Sequence, residues 1–262
     1  MEASQHALGP IAVFDSGMGG ISVLRQLHKL MPYEHFLYMG DSKNAPYGVK
    51  SKEEVYQLSK YWMTYFMERN AKAVVIACNT ATSAAASKLR TEYPDIPIIG
   101  LEPALKPAAT VFAGTGKRIL VMATELTLRE DKFQHLLHQY ENDAEIHLLA
   151  APGLVELVEA NEIDTAKMEQ YLQTILAPYI EMPIDGVVLG CTHFPFAKHS
   201  IAKILGNEVV FFDGAEGAAR ELKRQLIKKG TLAPEDGKGS VLIENSDEAG
   251  EKLALSERLF GY

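Results

Sequence analysis

The chain has 262 residues, 47% of them hydrophobic, enough to bury a sizeable core as one large domain or two small ones. Its net charge of −8 argues against a nucleic-acid footprint, although a helix N-terminus can still hold a small anion. No apolar run nears the roughly 18 residues of a membrane span. "MEASQHALGP" also lacks the basic and apolar regions of a signal peptide, and cysteine is scarce, so the expected compartment is a reducing cytoplasm.

In chain order, short apolar runs alternate with longer helical patterns. The predicted strands are "IAVFDS", "HFLYMGD", "AKAVVIACN", "IPIIGLE", "RILVMAT", "EIHLLAA", "DGVVLGC" and "EVVFFDG". Each reads as a continuous apolar stretch, the pattern of strands covered on both faces. Between them lie helical segments such as "ISVLRQLHKLM", "SKEEVYQLSKYWMTYFMERN" and "MEQYLQTILAPYIEM". The expected fold class is α/β, with mostly parallel sheets. Two pseudo-symmetric halves are predicted, 1–100 and 101–213, meeting at the proline-bearing "GLEPALKPA". Residues 214–262 hold "AAREL", "SVLIENSD" and the helical "AGEKLALSERLF". They could dock on either half and are assigned to complete the first.

"FDSGMGGIS" joins a strand to a helix. Gly17 and Gly19 fit the first two positions of a dinucleotide-binding G-x-G-x-x-G, and Asp41 falls where a ribose-binding acid would sit. Ser22 stands at the third glycine position, however, and Asp15 at the strand tip would oppose a pyrophosphate. Tight strand-to-helix packing explains the glycines but not the Asp15–Ser16 pair. A carboxylate and a hydroxyl at a strand's C-terminal end lie where open α/β sheets bind ligands.

The two cysteines occupy matching places in look-alike segments, "VVIACNTAT" around Cys78 and "VVLGCTHFP" around Cys191. A buried cysteine in a strand is usually inert packing. Here both lie at strand ends, both precede hydrogen-bonding pairs (Asn79–Thr80 and Thr192–His193), and both are predicted just before a helix N-terminus, which favours the thiolate. There is no C-x-x-C for a zinc knuckle or redox pair, and a cysteine hydrolase needs only one thiol. A matched pair suits racemisation, in which one group removes the α-proton and its counterpart delivers a proton to the opposite face.

With these residues the chain resembles the cofactor-independent glutamate racemases of the aspartate/glutamate racemase superfamily. The resemblance rests on "FDSGMGG", "GDSKNAPYG", "ACNTAT" and "GCTHFP", with weaker matches at "IIGLEPALKPA" and "APGLVELVE". It implies two α/β domains with the active site in the cleft between them, no cofactor (neither PLP nor metal), glutamate as the small-molecule substrate, no nucleic acid or membrane partner, and often a homodimer. It further implies supply of D-glutamate for peptidoglycan.

Cys78 and Cys191 would be the acid/base thiols, the first usually deprotonating D-glutamate and the second L-glutamate. Asp15 would assist Cys78, while His193 would assist Cys191. Ser16, Asn79, Thr80, Thr124 and Thr192 would hold the substrate with backbone at Tyr47 and Gly48. The family's glutamate near a helix start in the second half falls on Glu159 rather than Glu156. Departures from the family pattern are Ala123 for glycine, Glu130 for serine and Ala151 for cysteine. The rival readings are racemisation of another acidic substrate, such as aspartate, and a binding protein that has kept the fold.

Overall fold

Runs of Val, Ile, Ala and Phe with no polar interruption favour burial on both faces. The computed structural model, which describes residues 9–261, places them in two parallel sheets and buries those at the sheet centres. In chain order the elements are β1 (Ile11–Asp15), α1 (Ile21–Leu30), β2 (His35–Gly40), α2 (Lys52–Glu68), β3 (Ala73–Ile76), α3 (Asn79–Glu92) and β4 (Ile98–Gly100). They continue as α4 (Leu105–Phe112), β5 (Arg118–Ala123), α5 (Glu125–Arg129), α6 (Asp131–Tyr140), β6 (Glu145–Ala150), α7 (Pro152–Glu159), α8 (Ala166–Ile180), β7 (Gly186–Leu189), α9 (Lys198–Leu205) and β8 (Val210–Phe212). The chain ends with α10 (Ala215–Lys229), β9 (Ser240–Asn245) and α11 (Glu251–Gly261). The described residues fall into two compact units, one within Met1–Leu101 and Ala215–Tyr262, the other Glu102–Gly214.

The first unit holds a five-stranded sheet in the order β4-β3-β1-β2-β9, every neighbouring pair parallel. One face, including Ala12, Phe14, Leu37, Met39, Val74 and Ile76, packs against α2 and α3. Helix α2 meets it with Val55, Ser59, Trp62, Met63 and Phe66, a stripe at helical spacing. Its start is fixed by a capping box, in which Ser51 accepts from Glu54 N and Glu54 accepts from Ser51 N. The other face, with Phe36 and Tyr38, receives α1, whose Ile21, Val23, Leu24 and Leu27 are buried. Each such fully buried side chain contributes about 1.5–3 kcal/mol.

The second unit has a four-stranded parallel sheet, β6-β5-β7-β8. Leu120, Met122, Val187 and Leu189 face α7, α8 and α9, while Ile119, Val121 and Val188 face α4 and α6. Read as β8-β7-β5-β6, this order repeats β4-β3-β1-β2 of the first unit. The repeat extends to single hydrogen bonds beyond the strands. Ala77 N donates to Phe14 O as Gly190 N donates to Met122 O, and Asp41 N donates to Asp15 O as Ala151 N donates to Ala123 O.

Two expectations change. Among the described residues there is a further strand, β9, inside "SVLIENSD", for which the sequence predicts no element. Its residues are at best half-buried, because it is an edge strand. The edge strands β6 and β8 are also partly exposed, so covering on both faces holds for β1, β3 and β7 but not for every run.

Candidate active site

In the first unit the carboxyl ends of β1, β2 and β3 bring together Asp15, Asp41 and Cys78. Asp15 is the last residue of β1 and fully buried, and its Oδ2 accepts from Gly17 N at 3.1 Å. The N–H that a dinucleotide loop would turn to a pyrophosphate is therefore held by a carboxylate. Gly20, which ends that loop as the N-cap of α1, has no room for a side chain. A Cβ there would lie 2.5 Å from Asp15 Cβ. Gly20 serves the close approach of helix and strand.

Cys78 lies two residues past β3 and is the N-cap of α3, its Sγ accepting from Ala81 N at 3.4 Å. Helix N-terminal N–H groups favour negative charge at such a cap. Asn79 and Thr80 follow in the first turn, and both are buried, as is Ser16. Thr82 donates to Ile76 O and accepts from Leu101 N, each at 3.0 Å, tying the ends of β3 and β4 behind the cysteine. Thr82 is absent from the sequence-predicted site, although "ACNTAT" contains it.

Tyr47 is buried, with its ring 6.1 Å from that of Phe14, and Gly48 beside it is half-buried. Burial, then the charge and hydrogen bond of Asp41, then Cys78 and Asp15, push the Tyr47 phenol far above its ordinary value, so it remains a neutral donor. Asp41 is fully buried and turned into its own loop, away from any ribose-binding role.

In the second unit Cys191 lies two residues past β7, the position Cys78 holds after β3. Its local setting differs from the expected helix N-terminus. Thr192 and His193 form a turn, a 3-10 turn spans Phe194–Ala197, and α9 starts only at Lys198. Pro195 sits in the first turn of that 3-10 segment. The partner of the thiol is a side chain, with His193 Nδ1 3.7 Å from Cys191 Sγ. The opposite ring nitrogen, Nε2, lies 2.8 Å from Glu159 Oε1.

Burial works against a charge on His193. The hydrogen bonds and charges of Cys191 and Glu159 override it and raise the imidazole well above its ordinary value. Glu159 ends α7 rather than starting it, because Pro152 opens that helix and places Glu159 two turns later. A carboxylate at a helix C-terminus is unfavourable by itself, and the imidazolium compensates. Glu156 is exposed.

Thr124, just past β5, caps α5 by accepting from Thr127 N at 3.2 Å. Thr192 is buried beside Cys191. Ala123 and Ala151, the departures at the tips of β5 and β6, are both fully buried, and Glu130 is half-buried between α5 and α6. Among the described residues no group of acidic, histidine or cysteine side chains forms a metal cluster, and no helix is long and apolar enough to cross a membrane.

Residues 18–222 match the Asp/Glu/Hydantoin racemase family. The chain is 49% identical over 253 residues to the glutamate racemase of Clostridium novyi, covering 96% of the chain and 97% of that protein. The Escherichia coli glutamate racemase, crystallised with L-glutamate and the activator UDP-MurNAc-Ala, superposes with a TM-score of 0.82 at 31% identity, over 96% of the chain and 95% of that structure. The enzyme of Francisella tularensis, crystallised with D-glutamate, gives 0.83 at 25% identity, over 98% and 95%. The chain belongs to the Asp/Glu/Hydantoin racemase family, in the branch of the glutamate racemases.

Proposed function

We propose that the protein interconverts L- and D-glutamate by a two-base reaction in which Cys78 and Cys191 are the acid/base pair. The observation that carries this reading is the matched placement of the chain's two cysteines, each two residues past the corresponding strand of a repeated sheet. One sulfur, as thiolate, takes the α-proton as H⁺ and leaves the electron pair delocalised into the substrate carboxylate. The other, as thiol, delivers H⁺ to the opposite face of the same α-carbon. Each turnover moves the proton inventory from one sulfur to the other, so the reverse reaction starts from the complementary state.

The two thiols are served differently. Cys78 has the α3 N-terminus and Asp15 near it, whereas Cys191 has His193, oriented by Glu159. Ser16, Asn79, Thr80, Thr124 and Thr192, with backbone at Tyr47 and Gly48, are proposed to hold the substrate's amino and carboxylate groups. The reaction so written uses no PLP and no metal. Likeness to the named relatives supports glutamate as the substrate. A cytoplasmic homodimer supplying D-glutamate for peptidoglycan belongs to the same proposal, with residues 1–100 and 214–262 and residues 101–213 as its two functional halves.

The test is circular dichroism of L-glutamate and, separately, D-glutamate incubated with purified, PLP-free protein in thiol-containing buffer. Decay of both signals to zero is the expected result. Decay with aspartate alone would move the substrate assignment. No decay with reduced thiols, and no deuterium entering the α-position from solvent, would favour a binding protein.

A further inference from the structure

We infer that Asp41 is a positioning residue for the Tyr47–Gly48 turn, and that Ser246, from the segment after β9, completes its hold. The inference rests on the proposal that the backbone of this turn receives substrate.

Asp41 follows β2 directly and is fully buried. A carboxylate is taken out of water only where donors replace the lost hydration. Four contacts do so here. Oδ1 accepts from Asn44 Nδ2 at 3.0 Å and from Ser246 Oγ at 2.7 Å. Oδ2 accepts from Asn44 Nδ2 at 3.1 Å and from Tyr47 Oη at 2.6 Å. One carboxylate thus grips the 42–49 loop at two points and the C-terminal segment at a third. Tyr47 spends its hydroxyl on this inward contact, which leaves the turn's backbone as its recognition surface.

Ser246 reaches Asp41 because β9 runs parallel to β2 in the register Gly40↔Asn245, and Ser246 N extends the ladder by donating to Gly40 O at 2.9 Å. The same tip is braced twice more. Asn245 Nδ2 donates to Ser42 Oγ at 2.9 Å, and Lys43 N donates to Ser246 Oγ at 3.0 Å. Gly40 has no side chain to keep the neighbouring tip away, for a Cβ there would lie 2.5 Å from Gly17 O and 2.9 Å from Asn245 Nδ2. The strand that closes the sheet late in the chain therefore also fixes the loop that follows β2, some 200 residues earlier.

The test uses the full chain with Ser246→Ala, Ser246→Thr, Tyr47→Phe and Asp41→Asn, comparing KM and kcat for glutamate with hydrogen exchange of amides 42–50. Ser246→Ala is expected to raise KM about tenfold, the order expected for losing one hydrogen bond to a charged group, with kcat within about twofold. Exchange over 42–50 should quicken while α8 keeps its protection, and Ser246→Thr, which keeps the hydroxyl, should restore both. Tyr47→Phe should move exchange and KM in the same direction, and Asp41→Asn further.

Unchanged exchange over 42–50 in both Ser246→Ala and Asp41→Asn would overturn the hold. Faster exchange with KM unaltered would overturn the positioning role. A wild-type protein that fails to racemise glutamate would sink the proposed function instead, and the exchange comparison would still decide whether Asp41 and Ser246 hold the turn.

Discussion

The tips of the two sheets share a backbone and differ in chemistry. β1, β2 and β3 carry Asp15, Asp41 and Cys78 where β5, β6 and β7 carry Ala123, Ala151 and Cys191. The first tip is acidic, and its thiol is capped by a helix N–H. The second has alanine in place of both carboxylates and gives its thiol an imidazole backed by Glu159. A repeated backbone register can therefore hold one reactive atom in equivalent places while its partners diverge. The backbone register depends on main-chain hydrogen bonds, whereas the partners, a helix N–H for one thiol and an imidazole for the other, follow from the residues after each cysteine.

The sharpest way to break the equivalence is to remove one sulfur at a time. Cys78→Ser and Cys191→Ser should each lower racemisation by at least roughly a thousandfold, within the range of general acid–base catalysis. Because the two enantiomers have equal free energy, kcat/KM must fall equally in both directions. Any asymmetry between the tips can show only in kcat and KM taken separately, or in α-proton exchange from one enantiomer. Polarimetry with L- and D-glutamate reads the first and ¹H NMR in D₂O the second. Full activity in either variant would sink the pairing.

The first unit also has a fifth strand, and the return that leads to it is bolted down. Lys72 Nζ lies 2.6 Å from Glu34 Oε2 with both side chains almost wholly buried, and it donates to Thr231 O. Glu34 Oε1 accepts from Ala233 N. Lys72→Met should cost about 3–5 kcal/mol, because it strands a buried carboxylate, and Glu34→Met in the same chain should recover much of that loss. Denaturant titration checks both. A double variant that costs the sum of Lys72→Met and Glu34→Met measured alone would mean that the pair is not coupled.

A smaller change makes one tip resemble the other. Where the first unit has Ala77 the second has Gly190, and a Cβ there would lie 2.9 Å from Met122 O and 3.0 Å from Ala123 Cβ. Gly190→Ala should cost about 1–3 kcal/mol by overpacking. Ala123→Gly in that background should return part of it. No loss of thermal stability in Gly190→Ala would show that the tip yields more easily than its contacts imply.

The mildest effect is a slope with pH. His193 is raised in the folded state above its ordinary 6.5, since its partners outweigh burial. Its contribution to stability is then complete below that value and is lost as pH rises through the folded value. The stability of wild type minus that of His193→Asn should therefore be largest below pH 6.5 and shrink as pH rises well above it in urea titrations. Glu159→Gln should flatten the trend. A difference that grows with pH would mean that His193 is neutral when folded.

Much of this was legible before any coordinates. β1, β3, β5 and β7 announce themselves as unbroken apolar runs, because strands at a sheet's centre admit no polar side chain. Asp15, Cys78 and Cys191 sit at the ends of such runs, so their place at the carboxyl edge of a parallel sheet could be read directly. β9 could not, because an edge strand half open to water carries a mixed pattern that resembles a loop. Glu159 could be aligned, but its contact with His193, 34 residues away, depends on how α7 packs beside the turn after β7.

The sequence by itself determined the α/β class, the repeat and the placing of two thiols at strand ends, since periodicity and burial are local properties of the chain. Tertiary structure alone decided that Glu159 backs His193. It also turned Asp41 inward to Tyr47, Asn44 and Ser246, where the sequence allowed a ribose-binding acid. Hydrogen bonds reach only about 3 Å, so contacts between distant residues are set by strand register and helix docking rather than by any local pattern.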